Sequence, residues 1–264
     1  MRYAGGWSIV VGLLLQLVGC APARTSEPRD LLMQASAALE ARRYGDAIGL
    51  ADAYLSAYPA GSGAAEALYI RGRALEDMPV VSEGNAHSNM LAARRAYVDA
   101  LDRNPDRTLA GYLHASIADV AYWQDDYVSA VRHGRLALPL LTTDEQRSWT
   151  LYRTGVAEQR LGQFDAADGT FAEVQSRFPS TEAAERARNR SGKRAFFVQL
   201  ATYANGQLAD ALVAQLVKEG QSPRRVVDAK GHHVVSIGPF GNFDSARQAR
   251  QRLSARFPDA LIVP

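Results

Sequence analysis

The residue types that most often perform catalysis are sparse in this chain of 264 residues. Of five histidines only His232 and His233 are adjacent, and Cys20 is the only cysteine. Neighbouring residues in a strand point to opposite faces, so these histidines do not form a two-ligand metal site by themselves. Neither an HExxH nor a GxSxG motif occurs. A carboxylate pair for glycoside cleavage needs only a separation of about 5 to 9 Å, which a sequence does not exclude. We therefore expect a protein that binds rather than catalyses, with no cofactor or metal, and keep an enzyme as the alternative.

Cys20 directly follows an apolar run near the N-terminus. Arg2 gives the chain a positive start, and residues 9–18 are apolar apart from Gly12 and Gln16. This run is too short to span a bilayer, which takes about 20 apolar residues, and is typical of a secretory signal core. Because no second cysteine exists, Cys20 cannot form an intramolecular disulfide.

Residues 17–20 (LVGC) resemble the lipobox of bacterial lipoproteins. The resemblance implies that residues 1–19 are a signal peptide and that Cys20, acylated on sulfur and on its new amine, begins the mature protein. Two or more acyl chains hold a protein stably to a bilayer. Ala21 stands where Asp retains lipoproteins at the inner membrane, so the resemblance favours the outer membrane, facing the periplasm. Residues 20–29 are then a lipidated linker. The alternatives are a single transmembrane anchor or an ordinary cleaved signal.

The charge of the mature chain is close to balanced. Removal of the leader would take away Arg2 and leave 29 basic and 28 acidic residues. That balance argues against a strong general affinity for nucleic acid. The length fits about two domains.

Residues 30–190 contain four similar blocks, each with small residues, aromatics and a proline at related positions. The alanines that align the blocks, Ala47, Ala93, Ala130 and Ala167, are 46, 37 and 37 residues apart. These blocks resemble tetratricopeptide (TPR) repeats, whose period is about 34 residues. The resemblance implies an all-α array of antiparallel helix pairs, in which small residues let two helices approach and an aromatic fills the gap. An irregular bundle of antiparallel helices is the alternative.

A TPR array implies a curved surface that binds a protein or peptide partner. Five aromatic residues are candidates to line it, with core positions as the alternative: Tyr112, Tyr122, Trp123, Trp149 and Tyr152. The second block also has extra residues at 76–90, rich in Gly, Asn, Ser and Pro. We interpret them as a long exposed loop between helices, which is either a partner contact or a tolerated insertion.

The sequence pattern changes after residue 192. Strand composition and helical periodicity alternate in the order βαββαβ: strand 196–201, helix 207–219, a weaker strand 224–229, strand 233–237, helix 243–257 and strand 260–263. This order predicts a small α+β domain of the ferredoxin or RNP type, with both helices on one face of an antiparallel sheet.

Residues 194–264 resemble the SPOR (sporulation-related repeat) domain. The resemblance rests on residues 197–200 (FVQL) and residues 235–240 (VSIGPF), at the family's separation and in its order of elements. It implies binding to peptidoglycan, with a preference for glycan strands stripped of stem peptides, which accumulate at division sites. The family binds these strands on the sheet face that carries no helices.

Alternation along the first and third strands assigns five side chains to that open face: Phe197, Gln199, Ala201, Val234 and Ser236. Gln199 offers a donor and an acceptor to sugar hydroxyls and N-acetyl groups, and Phe197 an apolar platform for a sugar ring. From Lys193 onward there are 10 basic and 5 acidic residues. The chain departs from the family at Val234, where a polar or basic residue is frequent, and at His233, where an aromatic is frequent.

RNA-recognition modules share the βαββαβ order, but their basic-Gly-aromatic string is absent from the third strand. The resemblances together predict a non-catalytic lipoprotein that links the outer membrane to peptidoglycan and recruits a protein partner, such as a wall hydrolase or a division protein at the septum. An outer-membrane assembly or scaffold lipoprotein, or an enzyme that cleaves the wall, are the alternatives.

Overall fold

A computed structural model describes residues 28–80 and 82–264. The predicted signal peptide, Cys20 and residues 20–27 of the predicted linker lie outside the described residues. In the first part of the described chain, nine helices follow one another: α1 Pro28–Glu40, α2 Tyr44–Ala57, α3 Ala64–Asp77, α4 Glu83–Leu101, α5 Arg107–Trp123, α6 Tyr127–Ala137, α7 Asp144–Arg160, α8 Phe164–Arg177 and α9 Glu182–Arg190. None of the helices that the structure describes is long and apolar enough to cross a membrane.

Each of these helices packs against the next one along the chain. The odd-numbered helices also contact each other in succession, from α1 against α3 to α7 against α9. They therefore form a continuous layer, as expected for stacked helix pairs. The predicted helical repeat architecture is confirmed.

Small residues in this array face aromatic rings, as the sequence predicts. A Cβ atom added to Gly72 would lie 2.4 Å from Cε1 of Tyr97, and one added to Gly155 would lie 2.7 Å from Cε1 of Phe171. Both rings are fully buried. The helices can approach this closely only because these glycines have no side chain.

The prediction of a long loop over residues 76–90 is wrong. Helix α3 ends at Asp77 and α4 already begins at Glu83, so most of the extra residues lengthen α4 to 19 residues. Ser82 caps this helix, since its Oγ accepts a hydrogen bond from the amide N–H of Asn85 at 3.2 Å. Glu83 adds a negative charge at the positive end of the helix. Capping and charge therefore outweigh the loop-like composition of this segment.

The C-terminal part has the predicted βαββαβ order. Its elements are β1 Phe196–Tyr203, α10 Gly206–Lys218, β2 Pro223–Val227, β3 His233–Phe240, α11 Phe243–Leu253 and β4 Leu261–Val263. The strands form one antiparallel sheet in the order β2-β3-β1-β4. Val198, Leu200, Val235 and Ile237 are buried and pack with apolar residues of α10 and α11 on one face. That leaves the other sheet face without helices.

The two parts of the chain contact each other through α11. The ring of Phe243 meets that of Tyr127 edge-on, with centroids 6.0 Å apart, and the Arg160 guanidinium lies 4.0 Å from the Phe243 ring centre. Arg247 forms an ion pair with Asp125 of the array. The helix-covered side of the small domain therefore contacts the array.

Candidate functional site

A row of side chains crosses the open face of the sheet. Arg224 of β2 pairs with Ser236 of β3, Ser236 pairs with Gln199 of β1, and Gln199 pairs with Leu261 of β4. Paired residues in a sheet project from the same face, so these four side chains lie side by side. The row brings a guanidinium, a hydroxyl and an amide onto one surface.

A cavity of about 480 Å³ opens on this face. Its lining consists of residues 192–195 and 263–264 together with six side chains of the sheet: Phe197, Gln199, Arg224, Val226, Val234 and Ser236. The structure thus places four of the five predicted site residues around one cavity. Ser236 is only 7% exposed and lies at its floor.

The predicted placement of Ala201 on the open face is wrong. The pairing of β1 with β3 shifts between Gln199 and Ala201, so that Ala201 lies opposite the buried Val235 and packs against the core. A bulge of this kind adds one residue to a strand and reverses the facing of those that follow. Thr202 takes the open position, where its Oγ1 accepts a hydrogen bond from Nε2 of Gln199 at 3.2 Å.

Arg224 is the site residue that sequence reasoning missed. Its guanidinium carbon lies 5.1 Å from the centre of the Phe197 ring, within the range of a cation–π contact. The next residue, Arg225, points to the helix side and forms an ion pair with Asp210 of α10 at 2.7 Å. In the part of the chain that the structure describes, Arg224 has no carboxylate within ion-pair distance. Alternation along β2 separates the two arginines, but only the register shows which one faces the cavity.

Two further cations lie at the edge of the cavity. Arg194 bridges to α8 of the array, with Nη2 at 2.9 Å from Asp168 Oδ2 and Nη1 bonded to Asp165. These carboxylates neutralise much of its charge, whereas Lys193 forms no ion pair among the residues described. Lys193 and Arg224 are therefore the cations available to a ligand.

No Asp or Glu side chain lines the cavity in the described structure, so this lining offers no pair of side-chain carboxyl groups for glycoside cleavage. Across residues 28–80 and 82–264, no group of three or more His, Cys, Asp or Glu side chains is placed to hold a metal ion. The site is built to bind a ligand through polar, apolar and cationic contacts.

A glycine near the end of β3 positions Phe197. Gly238 has φ of +136°, and a Cβ there would lie 2.9 Å from both the Phe196 carbonyl oxygen and Cδ1 of Phe197. Only glycine suits this conformation and spacing. Strand β3 continues past the predicted end at residue 237 as far as Phe240.

The array holds a second candidate surface. Four of the five predicted groove aromatics line one cavity between α5, α7 and α9: Tyr122, Trp123, Trp149 and Tyr152. Tyr112 lies elsewhere, stacked on Tyr69 with ring centroids 6.3 Å apart.

Fold and site define a two-part binding protein, with a helical repeat array followed by a small α+β domain. Residues 192–264 match the family model of the SPOR domain, and residues 149–181 match that of the tetratricopeptide repeat. The C-terminal part is therefore a SPOR domain and the array contains a TPR unit, formed by α7 and α8. The family match begins two residues before the predicted boundary at 194.

Two solved structures are similar to part of this chain. A thermophilic TPR protein of Thermus thermophilus covers 63% of this chain and 82% of its own, at 16% identity and a TM-score of 0.48. The apo form of RapI covers 64% of this chain and 60% of its own, at 12% identity and a TM-score of 0.43. No curated protein matches the chain.

Proposed function

We propose that this protein is a non-catalytic envelope lipoprotein that holds peptidoglycan glycan strands on the open face of its SPOR domain and recruits a protein partner through its TPR array. The observation that carries the glycan half is the cavity on the open face, with Gln199, Ser236 and Arg224 in one row. The SPOR domain supports peptidoglycan binding in general, and the TPR unit supports binding of a protein.

The groups on this face suit a stripped glycan strand. Hydroxyl and N-acetyl groups of the sugars can bond to the Gln199 amide and the Thr202 hydroxyl. Removal of a stem peptide by an amidase leaves a free carboxylate on the lactyl group of the sugar. Arg224, which has no ion-pair partner in the described structure, can take that carboxylate in a bidentate contact. A sugar that still carries its peptide has an uncharged amide there instead, and a bulky substituent as well.

Adjacent arginines provide the test. Arg224→Gln and Arg225→Gln each remove one positive charge from the same strand, but only Arg224 faces the cavity. We expect Arg224→Gln to lower retention on isolated sacculi about tenfold, the order of a lost charged hydrogen bond of about 1.5 kcal/mol, and Arg225→Gln to change it less than twofold. Equal losses in both variants would mean that net charge, rather than this face, holds the wall.

The lipid anchor is proposed from the lipobox-like residues 17–20 and from the shortness of the apolar run before them. Acylation of Cys20 would place one end of the protein in the outer membrane while the SPOR domain holds the wall. Labelling cells with a palmitate analogue tests this directly. Wild-type protein should carry the label and fractionate with outer membranes, and Cys20→Ser should lose both properties; a labelled Cys20→Ser protein would refute the assignment.

The proposed role excludes turnover of the wall. Incubation of purified protein with sacculi should release no soluble muropeptides, in agreement with the lack of an Asp or Glu side chain in the described lining of the cavity. Release of muropeptides would replace this proposal by an enzymatic one.

A further inference from the structure

Aromatic residues of the array enclose a groove that is separate from the proposed glycan site on the SPOR domain. A cavity of about 290 Å³ lies between α5, α7 and α9, with Tyr122 and Trp123 on one side and Trp149 and Tyr152 on another. Trp123 is 71% exposed, more than any other large apolar side chain in the described residues. A tryptophan that exposed is costly in water, and Trp and Tyr are the residues most enriched where proteins bind each other.

The rings of this groove are held in place before any ligand arrives. Trp149 meets Tyr152 edge-on at 5.8 Å between centroids, and Tyr122 meets Trp123 edge-on at 5.7 Å. Tyr152 also packs against the buried ring of Phe171 at 6.1 Å. Side chains that are ordered in advance lose less conformational entropy on binding, so such a groove favours affinity.

Arginines give the groove a positive character. Arg153, Arg186 and Arg190 line it together with a single carboxylate, Asp119. Arg153 is paired with Asp119, and Arg186 with the nearby Glu182 at 2.7 Å.

Arg190 differs from the other two arginines. Its Nε donates to the Tyr152 hydroxyl at 3.2 Å and its Nη1 to Oε1 of Gln159 at 2.8 Å. It forms no ion pair within the part of the chain that the structure describes. These two hydrogen bonds hold the guanidinium in the lining of the groove, without an ion-pair partner among the residues described. Arg190 is thus oriented to receive an anionic group from outside.

We propose that this groove binds an acidic segment of a partner protein, which inserts one aromatic or large aliphatic side chain between Trp123 and Trp149 and places a neighbouring carboxylate on Arg190. The cavity volume of about 290 Å³ lies at the lower end of the range of about 300 to 1,000 Å³ for small-molecule sites, and is large enough for one anchor side chain. Charge complementarity selects Asp or Glu beside the anchor. This inference deepens the partner-binding half of the proposed function and rests on it.

A displayed library of random 12-residue peptides tests the chemistry of the occupant. Selection on the purified full-length protein should enrich peptides in which Trp, Phe or Leu stands beside Asp or Glu. No enrichment above background, or a basic consensus, would overturn the proposal. Preferential binding of a labelled oligothymidylate over the selected peptides would overturn it as well, because stacking aromatics and arginines also suit nucleic acid.

Variants locate the binding. A fluorescent copy of the most enriched peptide should bind at least tenfold more weakly to Trp123→Ala and to Arg190→Gln, with Arg190→Lys in between because it keeps the charge but not the fork of donors. Val128→Ala on α6 and Arg177→Gln on α8 are controls, since both side chains are exposed and lie outside the groove. We expect less than a twofold change in either. Unchanged affinity in Trp123→Ala would show that the peptide binds elsewhere and would overturn the proposal. A far-UV circular dichroism spectrum of each weakened variant equal to that of the wild type would show that the loss comes from a missing contact rather than from misfolding.

Retention on sacculi separates this inference from the glycan role. Trp123→Ala should bind sacculi as the wild type does. Wild-type protein that binds sacculi but selects no peptide would refute the groove alone, and protein that selects acidic peptides but ignores sacculi would refute the glycan role alone.

Discussion

Two glycines in the same TPR unit should respond differently to substitution by alanine. An alanine Cβ at position 155 in α7 would lie 2.7 Å from Cε1 and 2.9 Å from Cδ1 of Phe171, whereas ordinary contacts begin near 3.4 Å. Phe171 is 0% exposed and packed on all sides, so its ring cannot move away freely. Overpacking of this kind costs about 1 to 3 kcal/mol. At Gly169, on the exposed side of α8, an added Cβ meets nothing within 4 Å.

Comparison of the two substitutions isolates the free-energy cost of overpacking at Gly155. Both substitutions gain about 1 kcal/mol from the better helix propensity of alanine, so the difference between Gly155→Ala and Gly169→Ala equals the packing cost, about 1 to 3 kcal/mol. We expect Gly169→Ala to raise the free energy of unfolding and Gly155→Ala to lie below it by that margin. Urea unfolding followed by far-UV circular dichroism measures both. The two variants having equal stability would refute the close helix contact at Gly155.

Three further predictions concern the open face, the domain contact and pH. Gln199→Glu should weaken retention on sacculi without unfolding the SPOR domain, since it replaces a hydrogen-bond donor with a charge that repels a carboxylate. The control Gln207→Glu on α10 should leave retention unchanged. Equal retention of the two variants would show that the glycan site does not include Gln199. The ion pair between Asp125 and Arg247 should contribute a coupling energy of no more than about 1 kcal/mol, because both side chains are partly exposed. A double-mutant cycle of Asp125→Asn and Arg247→Gln in urea measures this energy, and zero coupling would argue against the domain contact. Burial lowers the pKa of His133 to about 4 from 6.5. Because the folded state therefore disfavours protonation of this histidine, the free energy of unfolding should fall as the pH drops from about 6.5 towards 4. Urea unfolding curves at stepped pH should show a smaller fall in His133→Asn than in the wild type, and an equal fall in both would contradict the lowered pKa.

Much of the SPOR domain follows from local sequence pattern. Alternation assigned Phe197, Gln199 and Ser236 to the open face, and all three line its cavity. The pattern failed at Ala201 because a bulge depends on how two strands pair, and a period of two cannot register one inserted residue.

Other features depend on contacts between distant segments. Arg224 joins the cavity through the register of β2 with β3, which no local signal fixes. The composition of residues 76–90 suggested a loop, but the Ser82 cap began a helix there. Trp123 and Trp149 come from different helix pairs, and only the stacking of α5 on α7 brings them to one groove.

The most direct test of the glycan role compares sacculi before and after amidase treatment. Purified protein should be retained more strongly on the treated walls, because each removed stem peptide exposes a carboxylate within reach of Arg224 and clears the strand for the open face. Arg224→Gln should lose most of that gain, while Arg225→Gln keeps it. Equal retention of the wild type on treated and untreated sacculi would contradict the proposal that this face selects stripped glycan.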